Sequence, residues 1–134
     1  MAIDTYFKTR GMPLAGTGMT MVEEAGKNGL DWRLLPAIAV RESTGGKFAC
    51  KGATYSSFGW GSCKISFSSH GENIEVVAKN LGGNNPNTAR YYADKTMVQK
   101  LRAYNSVVPR YAEQVIDIMD AIGPADLSIE VAQG

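Results

Sequence analysis

The sequence predicts a mostly α-helical single domain. Five or six helices surround one central apolar helix, and a small lobe of short strands or loops, at about 47–68, is inserted between the second and third. Three features carry this reading. Leu34–Val40 is apolar on nearly every helical face, the pattern of a helix buried all round. Ser69 with Glu72, and Thr96 with Gln99, have the spacing of capping boxes that open helices. Between them, Lys47–Ser68 is rich in glycine, serine and aromatic residues and lacks a 3.6-residue period. The 134 residues, 44% hydrophobic and 20% charged, suit one soluble globular unit spanning 1–134.

Taken in order, Pro13 suits a first helical position and Gly29 an exit, so Leu14–Lys27 reads as a helix. Asp31 is a good N-cap for the central helix, Trp32 to about Ser43, which Thr44-Gly45-Gly46 ends. After the lobe, Ser69 leads into a helix to about Leu81, and Gly82-Gly83-Asn84-Asn85-Pro86 breaks the chain. Asn87–Ala93 reads as a short helix, and Thr96 opens another through Tyr104. Pro109 starts the last helix, with Val115, Ile116, Met119 and Ile122 as its apolar stripe. Gly123-Pro124 stops it, leaving a core of about 13–122 and a loose tail over 123–134.

Fourteen basic and thirteen acidic residues give a net charge of +1, which argues against a nucleic-acid binder. One histidine, His70, and two cysteines, Cys50 and Cys63, exclude a multi-histidine metal site. Their spacing matches no common zinc site or cysteine–histidine nucleophile pair, so neither metal nor cofactor is expected. No stretch reaches the ~20 apolar residues of a membrane span. The N-terminus lacks the apolar core of a signal peptide. The chain therefore reads as a cytoplasmic protein or as a domain of a longer exported one. Cys50 and Cys63 are either two reduced thiols or a bridge stapling a segment of low apolar content.

Glu42 is the residue that chemistry singles out. It lies where the apolar helix runs out into the lobe. The negative end of the helix and the apolar surroundings both favour a protonated carboxyl group, which a general acid needs. The plainer reading is a surface glutamate in a last helical turn.

Leu34-Leu35-Pro36-Ala37-Ile38-Ala39-Val40-Arg41-Glu42-Ser43, then Gly46, then Phe58-Gly59-Trp60, resembles the lysozyme-like superfamily. The chain is most similar to its lytic transglycosylase and bacterial endo-β-N-acetylglucosaminidase branches. Arg102-Ala103-Tyr104-Asn105, followed by Tyr111 and Val115, looks like their later alanine-tyrosine-asparagine motif. The likeness runs in order from about Pro13 to Met119. Two positions depart from it: Ser57 stands where an asparagine is frequent, and Ser106-Val107-Val108 lacks an expected glycine. The resemblance implies an α+β lysozyme-like fold and cleavage of the β-1,4-linked amino-sugar backbone of peptidoglycan. It implies Glu42 as catalytic acid, with Ser43 orienting it or shaping the site. Ser57, Phe58, Gly59 and Trp60 would line the sugar cleft, and Tyr104 and Asn105 would stand across it. The partner would be the glycan strand, the protein a monomer, and the setting the cell envelope, the extracellular space or a phage-like particle.

Glycosidases ordinarily use two carboxyl groups. From Ser43 to Gly71 there is no Asp or Glu, but there are three lysines, Lys47, Lys51 and Lys64. Glu72 has a capping role, Glu75 lies one turn further on, and Asp94 is an outside candidate. The expectation is thus a single-glutamate mechanism, in which the substrate's own acetamido oxygen or an internal hydroxyl replaces the second carboxylate. The competing class is a non-catalytic glycan-binding or envelope-assembly module on the same fold.

Overall fold

The chain is described by a computed structural model over residues 2–126. Seven helices occur among the described residues: α1 (Ala2–Thr9), α2 (Gly18–Lys27), α3 (Leu34–Ser43), α4 (His70–Leu81), α5 (Ala89–Tyr92), α6 (Met97–Tyr104) and α7 (Tyr111–Ile122). The mostly helical class is as expected, and α3 is the central helix. It packs chiefly on α7 and α2, with α4 behind α2 and α1 touching both α2 and α7. Leu34, Leu35, Ala37, Ile38 and Ala39 are all at most 1% exposed, which a helix without a polar stripe requires. No helix among the described residues is long and apolar enough to cross a membrane.

The N-terminal part differs from expectation. Ala2–Thr9 is an additional helix whose Ile3 and Phe7 are fully buried, so packed core lies before Pro13. Pro13–Thr17 is a turn rather than a first helical turn, because Gly16 takes a φ of 102°. Helix α2 begins at Gly18, and its cap comes from α1: Asp4 Oδ1 accepts the amides of Gly16 and Gly18, each at 2.9 Å. Asp31 is not the N-cap of α3: it lies three residues ahead of Leu34, the cap position is Arg33, and Asp31 Oδ1 accepts the Arg33 amide at 2.9 Å. Asp31 also pairs with the buried Arg33 guanidinium, which reaches the Gly123 carbonyl at 3.1 Å and so ties the start of α3 to the end of α7.

The lobe contains no strand among the described residues, so of the short strands or loops expected there it takes loops. Five of the nine residues from Tyr55 to Cys63 have left-handed φ values (Tyr55, Gly59, Gly61, Ser62, Cys63), and an extended ladder cannot run through them. Three other devices hold the lobe. Phe58 and Phe67 turn into the interior, and Thr54 and Phe67 exchange two hydrogen bonds of 2.9 and 3.0 Å. Cys50 and Cys63 form a disulfide. Closing a loop of this length stabilises the fold by about 3 kcal/mol on the chain-entropy model. Reduction is therefore expected to lower the melting temperature by several degrees and to expose the lobe first to limited proteolysis. Unchanged melting under reductant would refute this.

Helix α4 is capped by Ser69, whose Oγ accepts the Glu72 amide at 3.0 Å. The reciprocal arm is shifted by one residue: Glu72 Oε1 accepts from the Ser68 amide. The Thr96–Gln99 box is complete. Helix α7 starts two residues after Pro109, because Arg110 takes a φ of 63°. Of the tail, Pro124 and Ala125 accept from the Trp32 indole N–H at 3.2 Å; 127–134 lie outside the described residues.

Candidate active site

The end of α3 places Glu42 at the mouth of the molecule. Thr44, Gly45 and Gly46 all take positive φ, so the chain turns sharply off the helix and into the lobe. Ser43 points inward and Glu42 stays half-exposed. Glu42 lines an open cleft of about 570 Å³. One wall is lobe, at Gly59, Ser62 and Cys63; the other is the end of α6 and the loop after it, 103–108.

Two contacts hold the Glu42 carboxyl group. The Tyr111 hydroxyl, on the first residue of α7, donates to Oε2 at 2.7 Å. Oε1 lies against the Cα of Gly59, where a Cβ would collide with it. A Cβ fits there only if the carboxyl group moves, and the φ of 68° is one that glycine adopts without strain. Arg41, the nearest cation in sequence, turns away and donates to Gln114 Oε1 at 2.8 Å. Among the described residues no other carboxylate lines this cleft. Glu72 is held at the start of α4, and Glu75 lines a separate cavity with Glu24 and Lys27. No cluster of three or more potential metal ligands occurs among the described residues.

The remaining expected site residues divide by what they touch. Gly59 is in the cleft, as are the side of Tyr104 and Asn105. Ser43 does not contact Glu42. It is 4% exposed, its hydroxyl lies 2.7 Å from the Ser57 carbonyl, and it accepts the Gly46 amide, so it ties the helix end to the lobe. Ser57 is likewise buried, and its amide donates to Asn73 Oδ1 on α4. The Phe58 side chain, for which the resemblance implies the cleft, is fully buried in the core, where its apolar surface is removed from water. Trp60 is half-buried and opens onto an adjoining cavity of about 330 Å³ with Gly59, Ser62 and Tyr104. Asn105 closes the loop after α6, its Oδ1 accepting the amides of Val107 and Val108 at 3.0 Å.

The Tyr104 hydroxyl, across the cleft, does not bond to Glu42. It donates instead to the carbonyl of Phe58, which the irregular lobe leaves without a ladder partner. The residue that reaches the carboxyl group is Tyr111, which stood in the sequence only as an attachment to the alanine-tyrosine-asparagine motif. Tyr92, Trp60, Tyr104 and Tyr111 form a continuous row of rings with centroids 5.7–6.4 Å apart, the last two nearly parallel at 17°. Tyr92 is thus the member of the Tyr91–Tyr92 pair that faces this region.

Burial raises the Tyr111 hydroxyl well above the ordinary tyrosine range, and its bond to Glu42 raises it further; burial does the same to Tyr104. Both therefore remain donors at every physiological pH. The linkage has one sign: the folded state prefers the neutral phenols, so their stabilisation is complete below the unfolded value near 10 and is lost above it. Melting temperature is expected to fall as pH rises beyond about 10. The fall should be shallower in a Tyr104→Phe/Tyr111→Phe variant; an equal slope would refute this.

Searches of protein-family models, curated proteins and solved structures return no match for this chain.

Proposed function

We propose that this chain cleaves β-1,4 glycosidic bonds of the peptidoglycan glycan strand, with Glu42 as its one catalytic carboxyl group. The observation that carries the reading is a glutamate, held by Tyr111 and seated under Gly59, at the wall of an open cleft that no second carboxylate lines among the described residues. The likeness of the Glu42-Ser43, Phe58-Gly59-Trp60 and Ala103-Tyr104-Asn105 motifs to lytic transglycosylases and glucosaminidases gives the substrate class. The acid-free lobe with its exposed Lys47, Lys51 and Lys64 suits an anionic polymer.

In the first step the Glu42 carboxyl group protonates the glycosidic oxygen and the C1–O bond breaks. An oxygen of the same sugar, from its acetamido group or its C6 hydroxyl, then attacks C1. In the hydroxyl case the Glu42 carboxylate takes up the released proton, which restores the acid and leaves an anhydro-sugar. In the acetamido case a water molecule then adds at C1 of the oxazolinium ion and gives its proton to the Glu42 carboxylate, which restores the acid and the acetamido group and leaves a hydrated end. Tyr111 positions the carboxyl group, and Trp60 and Tyr104 offer ring faces to the apolar faces of sugars. The chain would work as a monomer at the cell envelope.

Mass spectrometry of products from purified peptidoglycan tests this. Fragments one water lighter than hydrated ends mark the intramolecular route by the C6 hydroxyl, and hydrated ends mark the acetamido route. Release of no fragments overturns the enzyme reading in favour of a glycan-binding module.

A further inference from the structure

Beside the Glu42 cleft lies a second cavity, of about 330 Å³. The two share the loop residues Asn105, Ser106 and Val108, so the loop after α6 is a partition between them. Tyr111 borders the second cavity, and its hydroxyl holds Glu42. Two arginines stand in the second cavity, Arg102 from the last turn of α6 and Arg110 from the residue before α7.

These two differ from the chain's other four arginines. Arg33 is paired with Asp31, Arg41 donates to Gln114, Arg10 to the Tyr6 carbonyl and Arg90 to the Tyr91 hydroxyl. The guanidinium groups of Arg102 and Arg110 make no ion pair or hydrogen bond among the described residues, although Glu113 lines the same cavity. Each guanidinium has five donors in a planar fork that matches a carboxylate. Both arginines are exposed, so this cavity adjoining the cleft offers two uncommitted guanidinium groups against one carboxylate to a small anionic group carried by whatever lies in the cleft.

We propose that Arg102 and Arg110 form a subsite for a carboxylate borne by the substrate strand, an inference that rests on the peptidoglycan reading above. Such a carboxylate has two sources, the lactyl group of a peptide-free muramic residue and the stem peptide of a substituted one. Neutral chitin-type oligosaccharides have neither.

The test is binding to the Glu42→Gln protein at low salt, with three probes of equal sugar length: peptide-free muramic strands, stem-bearing strands and a chitooligosaccharide. The expected result is at least tenfold tighter binding of one carboxylate-bearing probe than of the chitooligosaccharide, a margin that shrinks as salt is added. Tighter binding of the peptide-free strand assigns the lactyl group, and of the stem-bearing strand alone the peptide. In Glu42→Gln/Arg102→Gln/Arg110→Gln the ratio should fall to about one, while Arg90→Gln in place of the pair should leave it standing. Equal binding of charged and neutral probes, a margin that survives loss of both arginines, or no binding of any probe overturns the subsite. Turnover by the unaltered protein is measured separately. If it cuts no strand while the margin holds, the cleavage reading fails and the carboxylate site remains.

Discussion

Replacement of Glu42 by glutamine is expected to lower release of glycan fragments by roughly 10²–10⁴-fold, the contribution of a positioned general acid. The substitution is well matched to the site. A glutamine has the same shape, and its amide oxygen still accepts from the Tyr111 hydroxyl that now reaches Oε2. Its NH2 group still fits beneath Gly59, where the space admits no atom beyond the present side chain. What is lost is a proton that can be given to a leaving oxygen and taken back. Because no second carboxylate lines the cleft among the described residues, no neighbouring group can stand in. Folding should be little affected, with stability within about 1 kcal/mol of the parent, since the one hydrogen bond from Tyr111 is altered and not removed. Clearing of a cell-wall suspension, read beside a thermal melt, separates the two effects. Turnover near the parent's with an unchanged melt would remove Glu42 from the chemistry.

How much of this site was readable in the chain follows from the range of each interaction. The central helix, its end at Thr44-Gly45-Gly46 and the position of Glu42 were legible because they rest on local pattern: an unbroken apolar run and a glycine stop. The Thr96–Gln99 cap was legible for the same reason. Helix α1 was not, since eight residues with only Ile3 and Phe7 buried show one apolar pair and no sustained period. The start of α2 was misplaced because its cap, Asp4, is fourteen residues away from Gly18. The lobe's lack of strands depends on left-handed φ at Tyr55, Ser62 and Cys63, which side-chain identity does not announce. In the site, the resemblance implies Ser43 orienting Glu42 or shaping the site and Tyr104 across the cleft, yet both hydroxyls go to carbonyls that only the folded lobe brings near. Tyr111 was underrated because its bond to Glu42 joins residues 69 apart.

Gly59→Ala is the second substitution expected to have a large effect, and it acts through Glu42. The added Cβ would meet Glu42 Oε1, so either the lobe lifts or the carboxyl group turns away. The lobe is pinned on both sides of the cleft edge: Ser43 binds the Ser57 carbonyl, Asn73 accepts the Ser57 amide, and Tyr104 binds the Phe58 carbonyl. The Phe58 side chain is moreover fully buried. The carboxyl group is held by the Tyr111 hydroxyl and otherwise faces the open cleft. It is therefore the part that moves, and the acid leaves its place. A displacement of about 1 Å is enough to lower turnover on the order of 10²-fold. The cost to folding is smaller, about 1 kcal/mol for a non-glycine residue at a φ of 68° plus the weakened Tyr111 bond, and the melt should shift by only a few degrees. The two losses share one cause, so they should not add. In the Glu42→Gln background Gly59→Ala should lower the residual turnover hardly at all, because the group it displaces no longer gives a proton. Full turnover in Gly59→Ala, or a further hundredfold loss on top of Glu42→Gln, would show that this glycine serves the backbone or the sugar and not the acid.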